Sequence, residues 1–104
     1  GAEGALEAAS SLLSLGSRSA VVTVGASGAV YADGESSGHF SAPEVEVVDT
    51  TGAGDAFVGA LAARLAEKDP LAKAVAFAVR AGAAAVTKEG AQGAHPTPEE
   101  VERL

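Results

Sequence analysis

Residues 71–86, "LAKAVAFAVRAGAAAV", constrain the fold of this chain more than any other stretch. Their spacing predicts a helix rich in alanine and apolar almost all round. Such a helix has no face suited to water, so it must lie buried between other elements. Small side chains also set the manner of packing. Hydrophobic residues make up 47% of the chain and aromatic residues only 4%, so the core must form by close approach of alanine, valine and leucine rather than around rings. The apolar run 74–86 is interrupted by Arg80 and is too short to cross a bilayer.

The flanking sequence supplies partners for that helix. A first helix is predicted over 4–15, where Leu6, Ala9 and Leu13 recur at helical spacing and Gly16 ends it. "SAVVTVG" (19–25) is a β-branched run expected to form a strand buried on both faces. A tight turn at 26–28 leads to a returning strand, "AVYAD" (29–33), and a polar loop at 34–38. Residues 39–49 alternate around Val45 and Val47, with Pro43 placing that portion at an edge or a strand start. Phe57, Leu61 and Leu65 fall at i, i+4 and i+8 on one stripe of a helix that Lys68-Asp69-Pro70 ends. They read as core rather than as a ligand box. Residues 87–96 read as a loop, and a last helix opens with Thr97 as its cap and Pro98 at its first position. The 104 residues suit one compact domain or a piece of a larger one. The pieces make a single α/β layer structure whose sheet is thin for its helices, which points to missing strands.

Charge narrows the partners. A net charge of −7 argues against nucleic acid and against anionic membrane, both of which need a basic face. It leaves room for a small phosphorylated ligand, which needs only a local positive field. The chain has no cysteine, so disulfide scaffolds and thiolate metal sites are excluded. "GAEGALEAAS" has neither a basic segment nor a long apolar run, so it is not a signal peptide, and the expected location is the cytoplasm. The lack of an initiator methionine points to a processed or excised piece.

Chemistry concentrates in "DTTGAGDAFVGA" (49–60). A dinucleotide fingerprint fails there, because the third glycine, Gly59, comes two positions late. A Walker A loop fails as well: "GDAFVGAL" has the glycine spacing but carries Ala60 and Leu61 where lysine and Ser/Thr belong. The physics still favours an anion. A helix start leaves unpaired N–H groups and about half a positive charge, and Gly52, Ala53 and Gly54 let a phosphate approach them. Donors of this kind are worth about 3–4 kcal/mol each when aimed at charge that develops during reaction. Asp55 beside them can be a helix-capping acid or a base acting on a hydroxyl that attacks the phosphate.

These residues match a family. "DTTGAGDAFVGAL" resembles the C-terminal signature of the PfkB carbohydrate kinases, and the rest of the chain is similar to ribokinases in particular. "VTVGASG" (22–28) is similar to the family's nucleotide-binding turn, and "AVTKEGAQ" (85–92) resembles the ribokinase segment that wraps a monovalent cation. The match runs in order across nearly the whole chain. It implies the C-terminal part of a ribokinase-like αβα sandwich, a partial sheet flanked by helices. It also implies ATP-dependent phosphorylation of a sugar hydroxyl, D-ribose to ribose 5-phosphate, with magnesium required and potassium activating.

Carried over by position, the resemblance makes Asp55 the catalytic base and the contact to the sugar hydroxyl. Gly52, Ala53 and Gly54 become the anion hole. Thr23, Val24, Gly25, Ala26, Ser27 and Gly28 line ATP, together with Gly54, Asp55 and Val79. Val79 offers the adenine only apolar contact where family members often carry a polar residue. Asp49, Thr51, Ala85, Lys88, Gly90 and Ala94 surround potassium, mostly through backbone oxygens. The resemblance also implies a homodimer of the whole protein, formed through lid strands with no counterpart in this sequence. The sugar-binding part and the magnesium-linked segment likewise have no counterpart here. The 104 residues alone are therefore expected to be inactive, and to be marginally stable or to self-associate.

Blander readings stand beside these. "GASG" can be a hairpin turn, and Lys88 and Glu89 a solvated loop. Arg80 reads as a snorkelling or salt-bridged residue, and His39 and His95 as structural or surface groups. Alternatives for function are a kinase of fructose, another sugar or a nucleoside, a nucleotide-binding module without catalysis, and a structural interaction domain.

Overall fold

A computed structural model describes residues 2–14, 16, 18–24, 28–87 and 101. They fall in two units, Gly1–Ala42 and Pro43–Leu104, each with its own packing.

The first unit opens with α1 (Ala2–Ser14). Gly16 ends it as expected: its backbone is left-handed (φ 107°) and its N–H donates to the Leu13 carbonyl at 3.0 Å. Three strands follow, β1 (Ser19–Thr23), β2 (Ala29–Asp33) and β3 (Ser37–Phe40), as an antiparallel meander in that order. Ala20 pairs with Ala32 and Val22 with Val30, while Tyr31 faces Gly38 on the other side of the sheet. Ala9 of α1 packs on Ala20 and Ala32, flanked by Leu13 and Val22. On the opposite face Tyr31 stacks on Phe40, with ring centroids 5.8 Å apart. A Cβ at Gly38 would lie 2.8 Å from Tyr31 Cε1, so the ring fills the space a side chain would need.

Two expectations change here. Burial on both faces belongs to β2, in which Ala29, Val30, Tyr31 and Ala32 are all buried; in β1 only Ala20 is. The reason is position: β1 lies at the edge of the meander and β2 at its centre. The polar stretch 34–38 also gives Ser37 and Gly38 to a strand, because pairing with β2 satisfies their backbone whatever the side chain. Beyond Phe40, residues 41–47 adopt no regular element, and Pro43 has no N–H to offer a ladder.

Asp33 closes the β2–β3 hairpin. Its Oδ1 accepts the N–H groups of Glu35 and Ser36, both at 2.8 Å. Those two bonds, Glu35 first, hold the carboxyl below its ordinary value of 3.8. They favour the ionised form, so their contribution is present above the ordinary carboxylate range and is lost as pH falls through the lowered value. Asp33→Asn keeps an acceptor but cannot ionise. Its melting temperature should therefore converge on that of the parent between about pH 5 and pH 2; a constant difference across that range would refute the assignment.

The second unit is built on α2 (Ala53–Ala66) and α3 (Leu71–Ala85), joined by residues 67–70. The expected burial of the alanine-rich helix holds: Ala74, Val75, Ala78, Val79, Ala81, Ala83, Ala84 and Ala85 are all buried. Gly82 faces α2, where a Cβ would meet the Ala53 carbonyl at 3.6 Å and Phe57 Cβ at 3.8 Å. Ala56 packs on Ala85, and Ala60 and Phe77 pack on a cluster of Ala81, Ala84 and Val101. Arg80 donates its Nε–H to the Val101 carbonyl at 3.3 Å.

The stripe expected on α2 only partly holds. Phe57 is buried, but Leu65 is 42% exposed. At 3.6 residues per turn, each step of four advances about 40°, so Leu65 sits about 80° away from Phe57 around the helix. Lys68 then ends α2 in a Schellman geometry. Its φ is +66°, its N–H donates to the Leu65 carbonyl at 2.9 Å, and the Asp69 N–H donates to the Arg64 carbonyl at 3.1 Å. Arg64 reaches Asp69 and Glu67 at 3.9 and 3.7 Å and lies 3.8 Å above the Phe77 ring. Glycine is the usual residue at such a position. Lys68→Gly should therefore raise stability by about 1 kcal/mol, read as a higher urea midpoint at constant slope; a lower midpoint would show that the lysine side chain contributes more than the strain costs.

Among the described residues, no helix is long and apolar enough to cross a membrane.

Candidate active site

The N-terminus of α2 is open. Gly52 stands at its cap position in left-handed backbone, φ 83° and ψ −2°, and no side chain caps the helix. A residue with a Cβ would be strained there. The first helical hydrogen bond runs from the Ala56 N–H to the Gly52 carbonyl at 2.9 Å. The Ala53 N–H closes back on the Thr50 carbonyl at 3.2 Å, whereas the N–H groups of Gly54 and Asp55 meet no acceptor among the described residues. Gly54 and Asp55 are exposed. Of the three residues expected to form an anion hole, Ala53 thus has its amide engaged; the N–H groups of Gly52 and Gly54, and of Asp55 itself, meet no acceptor among the described residues.

A Cβ built at Gly54 meets nothing within 4 Å among the described residues, so they place no steric demand for glycine. A helix interior ordinarily prefers alanine to glycine by about 1 kcal/mol. Gly59, on the same helix, has equally open surroundings.

The loop before α2 is fastened to the far end of α3. The Val48 and Asp49 N–H groups both donate to the Val86 carbonyl, at 2.7 and 3.1 Å. Asp49 Oδ1 then accepts the Thr51 N–H at 2.8 Å. This brings Asp49 and Thr51 to the end of α3 that carries Ala85. The last turn of α3 holds no basic residue, and the Ala85 carbonyl accepts no hydrogen bond among the described residues. Oxygens of that sort at a helix C-terminus suit a cation. Among the described residues, no three His, Cys, Asp or Glu gather as a divalent site would require.

Sequence reasoning missed the Val86 carbonyl, which holds this loop. A backbone acceptor leaves no trace in side-chain pattern, so no signal was there to find.

The remaining candidates divide by unit. Thr23, Val24 and Gly28 lie in the first unit, where the Val24 N–H donates to the Gly28 carbonyl at 2.9 Å and closes the turn after β1. Gly28 is left-handed (φ +94°), and a Cβ there would collide with the Phe40 carbonyl oxygen and lie 2.9 Å from the Ala42 nitrogen. Val79 is buried on α3 in the second unit. Gly25, Ala26, Ser27, Lys88, Gly90 and Ala94 lie outside the described residues, as do His95 and the predicted start of the last helix at Thr97.

An α/β chain with an uncapped, glycine-bordered helix start followed by a carboxylate has the makings of an anion-handling protein. Comparison with known proteins makes the class definite: the profile described as "pfkB family carbohydrate kinase" matches residues 1–98. The chain belongs to the pfkB family of carbohydrate kinases. It is 44% identical over 95 residues to the aminoimidazole riboside kinase of Salmonella typhimurium, covering 86% of this chain and 30% of that one. The ribokinase structure from Thermotoga maritima superposes with a TM-score of 0.85 at 40% identity, covering 93% of this chain and 33% of that one. Phosphofructokinase-2 from Escherichia coli, solved in complex with potassium, superposes with a TM-score of 0.86 at 32% identity, covering 94% and 31%. The chain thus spans about a third of the length of these relatives.

Proposed function

We propose that these residues act as the C-terminal, nucleotide-binding portion of an ATP-dependent sugar kinase that converts D-ribose to ribose 5-phosphate. One observation carries the reading: the open amides of Gly54 and Asp55 at an uncapped helix start, in a chain of a carbohydrate kinase family. In this scheme the two N–H groups take up charge on the γ-phosphoryl as it moves. The sugar hydroxyl oxygen bonds to phosphorus, its proton passes to the Asp55 carboxylate, and ADP leaves. Phosphoryl transfer asks mainly for positioning and charge stabilisation, and both are provided here by backbone. Thr23, Val24 and Gly28, with Gly25, Ala26 and Ser27, would line ATP, and Val79 would contribute apolar contact.

In the same reading Asp49, Thr51 and the Ala85 carbonyl would hold a monovalent cation, with Lys88, Gly90 and Ala94 completing the set. A bound potassium ion supplies a fixed positive charge beside the loop that precedes α2. Magnesium on the ATP phosphates belongs to the same reading, with ligands outside this sequence. Phosphoryl transfer to ribose by the full-length protein should be several-fold faster in potassium than in sodium at equal ionic strength. Equal rates in the two salts would remove the cation from the scheme. The 44% identity to an aminoimidazole riboside kinase supports a second reading, in which the acceptor is a riboside. Rates with ribose, fructose and a riboside in one panel would rank the acceptors, and no transfer to any of them would defeat the kinase reading.

A further inference from the structure

β1 is an edge strand with none of the features that protect one. Ser19–Thr23 carries no charge, no proline and no bulge, whereas free edges are ordinarily blunted by such features. The open side follows from the ladder. The Val24 N–H donates to the Gly28 carbonyl, a bond that extends the β1–β2 register by one pair. Bonded and non-bonded pairs alternate along an antiparallel ladder, so Ala20 and Val22 direct their peptide groups to β2, and Ser19, Val21 and Thr23 direct theirs away. The second ladder agrees. The Asp33 N–H donates to the Ser36 carbonyl, which gives the odd residues of β2 to β3 and leaves the even ones for β1. On the side to which Ser19, Val21 and Thr23 turn, no strand lies among the described residues.

We propose that, in the full-length protein, this edge receives the strand that leads into α1, paired parallel to β1. This rests on the reading above of these residues as the C-terminal portion of a longer chain. The chain spans about a third of the length of its relatives, so length remains to supply the strand. Direction follows from α1. Only residues 15–18 separate it from β1, and Ala9 and Leu13 pack on the face of the sheet that holds Ala20, Val22 and Ala32. The 13 residues of α1 extend about 20 Å, against about 17 Å for the five of β1. α1 therefore runs back along the strand and starts near the carboxyl end of β1. A strand that ends there and enters α1 runs in the direction of β1, which makes α1 the crossover of a β–α–β unit. β2 already fills one side of β1, so the new strand takes the other. Flanked on both sides, "SAVVTVG" becomes the interior strand that its β-branched composition describes. A second copy joined edge to edge across a two-fold axis would instead pair β1 with itself, antiparallel.

The test combines amide exchange with amide–amide NOEs, both recorded by NMR on deuterated, isotope-labelled full-length protein. The Val21 and Thr23 amides should exchange within about tenfold of those of Ala20 and Val22, because all four would open only with the sheet. Their NOEs should reach residues that precede α1, and the partner's residue numbers should rise from Val21 to Thr23. Exchange at Val21 and Thr23 at least about a hundredfold faster than at Ala20 and Val22 would leave β1 a free edge and overturn the proposal. NOEs to any other segment, or partner numbers that fall from Val21 to Thr23, would overturn it too. Protection that vanishes on dilution to monomer, followed by sedimentation, would assign the edge to a second copy and so reject the strand before α1. Neither readout depends on activity. If the protein transfers phosphate to no sugar, the kinase reading fails, while exchange and NOEs still decide the place of β1.

Discussion

If the proposed kinase reading holds, Asp55→Ala in the full-length protein should lower kcat by at least about a thousandfold while leaving ATP affinity within a few-fold of the parent. Removing a positioned general base costs about 10²–10⁴ in rate. In this site the loss should lie in the upper part of that range, since Asp55 is the acid bordering the two open amides. Affinity for ATP should hold because, in the proposed scheme, Asp55 meets the anion through its backbone N–H, which alanine retains. Asp55→Asn should behave in the same way, being nearly isosteric but unable to take a proton. Initial rates with ribose, paired with calorimetric titration of a nonhydrolysable ATP analogue, check both halves. A variant that keeps near-normal turnover would dismiss Asp55 as the base; one that loses ATP binding in step with turnover would make it a binding group.

The second large effect falls on stability and separates two glycines that sequence alone treats alike. Gly28→Ala should destabilise the protein by about 2–4 kcal/mol, adding left-handed backbone strain of about 1–2 kcal/mol to an overpacking cost of similar size. The collision is with the Phe40 backbone, which cannot rotate away as a side chain would. Gly54→Ala should do the opposite, raising stability by about 1 kcal/mol, because its Cβ enters open space within a helix. The same substitution should lower phosphoryl transfer, since the added methyl stands beside the open amides. Urea midpoints for both variants, with rates for Gly54→Ala, settle the contrast. A stable Gly28→Ala protein, or a fully active Gly54→Ala one, would break the distinction between a glycine required by packing and one required by function.

Much of this was legible in the sequence, for reasons that differ by element. α1, α2 and α3 were readable because their signals are local: apolar spacing, Gly16 as a stop, and Lys68-Asp69-Pro70 as a break. The returning strand at 29–33 was readable because a tight turn and a β-branched run are also local. β3 was not, since "SGHF" has no strand pattern and owes its conformation to β2 and to the Tyr31 ring over Gly38. The exposure of Leu65 was missed because i, i+4, i+8 spacing drifts around the helix. At the site, the glycine-bordered start of α2 and Asp55 could be read from chemistry alone. The engagement of the Ala53 amide by Thr50, and of the residue 48 and 49 amides by Val86, could not. Those bonds join backbone groups, and the second set spans the whole of α2 and α3.

The stacked ring of Tyr31 has a practical consequence. It is the chain's sole tyrosine, and there is no tryptophan, so tyrosine emission reports on the sheet of the first unit. Circular dichroism near 222 nm, by contrast, weights the helices, and α2 and α3 supply most of them. Recording both signals through one thermal ramp compares, without any label, the sheet of the first unit with a helical signal carried mostly by the second. Coincident transitions would mean that the two melt as one cooperative body; a gap between them would measure how independently each stands.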